Sequence, residues 1–129
     1  MPGGRAETLL KRIVVRASRG YRGDPLGTIA FYGPDDQHAT KIVVGFSPSA
    51  EEGITETRAF WNADADVRGD AQLLSRVLKF LSDHNVKSVV MTDGICGCPH
   101  EVGIDYPEGS ACQYCTFWSG RERDVALIG

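Results

Sequence analysis

Asp70 to Gly94 reads DAQLLSRVLKFLSDHNVKSVVMTDG, and within it the apolar spacing changes from helical to extended. Leu73, Leu74, Val77, Leu78 and Leu81 form a stripe at helical spacing, with Arg76 and Lys79 on the other side. Asp70 stands where an N-cap carboxylate belongs, and Asn85, tolerant of the left-handed conformation, stops the helix. His84 in the last turn complements the helix dipole. KSVVMTD (87–93) then reads as a strand entering the core, ended by a turn at Asp93-Gly94.

Upstream of this helix the runs are of β type: RIVVRAS (12–18), GTIAFY (27–32), TKIVVGF (40–46) and TETRAFW (55–61). Each is rich in β-branched or aromatic residues and bounded by turn formers. GPDDQ between the second and third runs predicts a hairpin, and SPSAEEG, with Pro48 and Gly53, separates the third and fourth in the same way. Period-two alternation puts Ile42, Val44 and Phe46 on one face, which should be core. Strands grouped before a helix predict an α+β domain spanning residues 1–129. Its expected core (1–95) is a mostly antiparallel or mixed sheet of about five strands with one main helix. Residues 96–129 are then a C-terminal metal loop and tail.

That loop, CGCPHEVGIDYPEGSACQYC (96–115), holds every cysteine of the chain and His100. Cys96-x-Cys98 and Cys112-x-x-Cys115 are two chelating pairs with thirteen residues between them. A tetrahedral zinc site needs four ligands with sulfurs ~3.8 Å apart. Positions i and i+2 of a straight strand lie ~6.6 Å apart, so the chain has to bend, and Gly97 and Pro99 supply the bend. Five donors compete for four places. Either Cys98, His100, Cys112 and Cys115 bind the metal, or Cys96 replaces His100 in a four-thiolate site. Zn²⁺ is the expected ion, although a four-thiolate set also accepts iron.

The expected role of the zinc is structural, stapling the loop to the core of a protein-interaction or regulatory module. Two other functions stay open. One is a zinc-dependent hydrolase in which Asp93 or Glu101 works with a metal-bound water. The other is a thiol redox sensor using a free Cys96. The zinc-deaminase pattern fails, because Glu101 adjoins His100 where that motif spaces the acid two places on, and Ala111 stands where proline should precede the second pair. Asp64, Asp66 and Asp70 begin like a calcium loop, but Arg68 and Ser75 occupy oxygen-ligand positions, so the cluster reads as a turn feeding the helix cap. His38, in the turn after Gly33, should face solvent. Phe117 and Trp118 are placed to shield the metal, or, with Tyr106, Tyr114, Arg121 and Arg123, to form a binding surface.

Charge is unevenly distributed over the 129 residues, whose net charge is −3. Residues 1–23 carry +5, from Arg5, Lys11, Arg12, Arg16, Arg19 and Arg22 against Glu7. Residues 24–95 carry −5, and residues 96–129, where Arg121 and Arg123 face five acids, carry −3. An acidic zinc loop disfavours nucleic acid, which is bound chiefly through phosphate neutralisation. Another protein or a second copy of the chain is the expected partner, with the basic segment either touching an acidic surface or guarding a strand edge. No apolar run reaches the ~18–20 residues of a membrane span, and MPGGRAETLL lacks a secretory pattern. A cytoplasmic, reducing location is the expectation, where clustered thiols bind metals more often than they form disulfides.

Overall fold

Residues 12–18 are helical, not extended. The computed structural model describes residues 4–62, 64–100, 117 and 127. Its elements are α1 (Gly4–Ser18), β1 (Leu26–Tyr32), β2 (Lys41–Ser47), β3 (Glu56–Trp61), a 3-10 turn (Val67–Gly69), α2 (Ala71–Asp83) and β4 (Ser88–Ile95). The run IVV within 12–18 has high β propensity, but that is a weak preference beside a buried helical stripe. Ala6, Ile13 and Ala17 are buried, with Leu9, Leu10 and Val14 packed around them, a period near 3.6 that begins well before Arg12. An extended segment would turn Ile13 and Val15 to the same side. Instead Ile13 is 1% exposed and Val15 48%. Ile13→Ala is therefore expected to cost about 3 kcal/mol, while Val15→Ala should stay within about 0.5 kcal/mol. Similar losses for the two in urea unfolding would contradict the helix.

Among the described residues the sheet thus has four strands rather than five, in the order β3-β2-β1-β4, and there are two helices rather than one. Both expected hairpins are present. β1 pairs antiparallel with β2 (Ile29 opposite Val44), and β2 with β3 (Val44 opposite Arg58). β4 returns through α2 to lie parallel to β1, so the sheet is mixed. Gly27, Ile29 and Phe31 of β1, together with Ile42 and Val44, are buried on one face with Leu74, Val77, Phe80 and Leu81 of α2. Gly27 allows the close approach, since a Cβ there would lie 2.7 Å from Leu81 Cδ2. Among the described residues no helix is long and apolar enough to cross a membrane.

α2 has the caps its sequence predicts. The Asp70 carboxylate accepts from Leu73 N–H at 3.1 Å, and Asn85 takes φ 52° just past the end. His84 does more than face a dipole. Its Nδ1 donates to Phe80 O at 2.8 Å, its ring stacks on Phe80, and Nε2 meets the Glu56 carboxylate, tying the helix end to β3.

The expected Asp93-Gly94 stop is absent, because β4 continues to Ile95. Ile29 pairs with Met91 and Phe31 with Ile95, so β4 spends four residues where β1 spends two. Thr92 supports this bulge. Its Oγ1 accepts from Phe31 N–H at 3.4 Å and donates to Gly94 O at 3.0 Å. Asp93 sits in the bulge, exposed.

Candidate functional site

Beyond Ile95 the chain crosses the end of the sheet, held by β1 and then by β2. Cys96 N–H donates to Phe31 O at 2.7 Å, and Gly33 N–H donates to Gly97 O at 2.9 Å. Register and alternation place Tyr32, Lys41 and Trp61 in one row across β1, β2 and β3, on the face away from the helices. Lys41 is 5% exposed. Its Nζ donates to Pro99 O at 3.0 Å and lies 4.8 Å from the centre of the Trp61 ring. A buried ammonium needs such partners, a carbonyl and an aromatic face, to offset its lost hydration. The row holds the bend at Pro99, and the His100 ring lies 6.3 Å from that of Trp61.

The bend brings Cys98 and His100 together. Cys98 is 4% exposed and packs with the core, its Sγ is 3.4 Å from His100 Nδ1, and His100 N–H donates to the same sulfur at 3.3 Å. Two ligands on one tetrahedral zinc, one sulfur and one nitrogen, would sit ~3.6 Å apart. The contact is a sulfur–imidazole hydrogen bond at a separation that two ligands of one zinc would also have. Cys96 is half-buried and forms no three-membered cluster with them. Among the described residues no three His, Cys, Asp or Glu side chains gather closely enough to hold a metal ion. Cys112, Cys115 and Glu101, with Tyr106, Tyr114, Trp118, Arg121 and Arg123, lie outside the described residues. Phe117 is half-buried and packs against the hydrophobic core.

Asp93 is placed elsewhere. It borders a cavity of about 260 Å³ with Arg68, Thr92, Phe31, Met91, Leu10 and Val14, which neither Cys98 nor His100 lines. His38 is exposed, as expected, and its Nδ1 lies 3.0 Å from the Asp35 carboxylate.

The acidic cluster before α2 serves the backbone. Asp70 caps α2 and accepts from Asn62 Nδ2 at 2.9 Å. Asp66 accepts from Ala39 N–H, Arg68 N–H and the Arg68 guanidinium, the closest contact being 2.7 Å. Burial pushes the Asp66 carboxyl up, but those hydrogen bonds and the Arg68 charge together outweigh it and hold the group below the ordinary aspartate value. Protonation therefore favours the unfolded chain. The Asp66 contribution is full above about pH 4, the ordinary Asp value, and is lost as pH falls through the lower folded one. Asp66→Asn should lower the urea midpoint at pH 7, and its gap from wild type should narrow below about pH 4. A gap independent of pH would refute this assignment.

What sequence reading missed here is the row beneath the loop. Alternation in TKIVVGF already put Lys41 opposite Ile42, but only strand register reveals that Tyr32 and Trp61 flank it. The chain matches no protein-family model, no curated protein and no solved structure.

Proposed function

We propose that this protein is a small non-enzymatic binding module whose C-terminal loop is stapled by structural zinc. The ligands are Cys98, His100, Cys112 and Cys115. The observation carrying this is the Cys98–His100 pair, a buried sulfur and a ring nitrogen 3.4 Å apart on a bend fixed by Pro99. The bend rests on Lys41, whose positive charge offsets that of a three-thiolate, one-imidazole site, which carries a net negative charge with Zn²⁺ bound. His100 is preferred to Cys96 as the fourth ligand because Cys96 is drawn toward β1 by its own backbone bond to Phe31.

Such a site is closed and supplies folding energy, not chemistry. The hydrolase alternative is weaker, since the cavity beside Asp93 does not include Cys98 or His100. Redox sensing by Cys96 is compatible with the same ligand set and would appear as a reactive thiol in the zinc-loaded protein.

Elemental mass spectrometry on untagged wild type and Cys96→Ser tests the ligand set. One zinc per chain in both is expected. Zinc in the wild type alone would replace His100 by Cys96, and metal in neither would sink the proposal.

A further inference from the structure

The basic segment at the start of the chain remains unused by the zinc loop, and folding as a helix gives it a shape. α1 and α2 border a groove of about 550 Å³ lined by Lys11, Arg12, Arg16 and Arg19 around Val15 and Leu78, with no acidic side chain among the described residues that line it. Arg16 is committed, its guanidinium donating to Val86 O at 2.7 Å. Lys11, Arg12 and Arg19 are exposed and have no ion pair among the described residues. Val15, 48% exposed, gives the groove an apolar side chain open to solvent.

We propose that this groove docks an acidic amphipathic segment of a partner protein. Carboxylates of that segment meet Lys11, Arg12 and Arg19, and its apolar side chains cover Val15 and Leu78, in the helix-in-groove mode. Charge complementarity selects an acidic occupant, and the apolar floor selects one with apolar side chains. Nucleic acid fits less well, because no aromatic ring among the described residues lines the groove to stack a base, and residues 24–129 carry −8 in all, repelling a long polyanion. A lipid surface fits less well too. Ala6, Ile13 and Ala17, the apolar face that would enter a bilayer, are buried in the core. The inference rests on the proposed function only in taking the chain for a binding module, and does not require zinc.

The test is fluorescence anisotropy with a labelled Glu/Leu peptide of about 16 residues, or four helical turns, with leucines at i, i+4 spacing. The full wild-type chain is compared with Arg12→Glu/Arg19→Glu, whose sites are exposed, and unchanged melting verifies the fold. Binding is expected to weaken about tenfold or more in the charge-reversed variant, because like charges then face each other. It should weaken similarly when serine replaces the peptide leucines. No binding by wild type, or equal affinity for the variant, overturns the proposal. So does equally tight binding of the serine peptide, a single-stranded oligonucleotide or phosphatidylserine vesicles. Binding of a second chain in place of the peptide, seen as peptide-resistant dimer in sedimentation, also overturns it. Zinc measured on the same samples separates the two claims: lost peptide binding with zinc present counts against the groove alone, and retained binding without zinc counts against the metal site alone.

Discussion

On the proposed zinc site, treating the purified protein with a chelator is expected to lower its melting temperature by about 10 °C or more. Structural zinc can supply on the order of 10 kcal/mol of apparent binding free energy. If only about a third of that couples to global unfolding, at roughly 3 °C per kcal/mol for a chain this size, the shift reaches about 10 °C. Coupling is expected because Cys98 packs within the hydrophobic core and the neighbouring residues Cys96 and Gly97 are bonded to Phe31 and Gly33. Cys98→Ser should melt near the stripped wild type and ignore the chelator. Cys96→Ser should keep its metal and its chelator response. A wild-type melt that the chelator leaves unmoved would remove the zinc from any role in folding.

Gly33→Ala is the second large effect. A Cβ at Gly33 would stand 1.6 Å from His38 O, a backbone atom that cannot rotate away as a side chain can. The turn joining β1 to β2 would have to open, at a cost of about 3 kcal/mol. The same turn carries Gly33 N–H to Gly97 O, so the loop bearing Cys98 should loosen with it. Gly69→Ala is the control, with nothing within 4 Å of the added carbon. Equal urea midpoints for the two variants would show that the turn absorbs the clash.

The features legible in sequence were those decided within a few residues. The cap at Asp70, the left-handed Asn85 and the turns of the two hairpins each depend on groups no more than about four positions apart, so local residue types specify them. The approach of Cys98 to His100 is local only in part, since Pro99 bends the chain between them while Lys41 of β2 holds that bend from 58 residues away. Residues 12–18 misled because the window was short. IVV looks extended until Ala6, Leu9 and Leu10 are counted with it, and only packing against the core makes the helical stripe pay.

Sequence by itself determined α2 and the β1–β2–β3 meander. Tertiary structure alone decided that Asp93 lies in a bulge beside Phe31, that Lys41 is buried beneath Pro99, and that the cations of α1 line a groove against Leu78. The physical reason is separation along the chain. Burial and charge pairing are many-body properties of a packed core, and Lys41 meets its carbonyl 58 residues away, a distance over which no local preference acts.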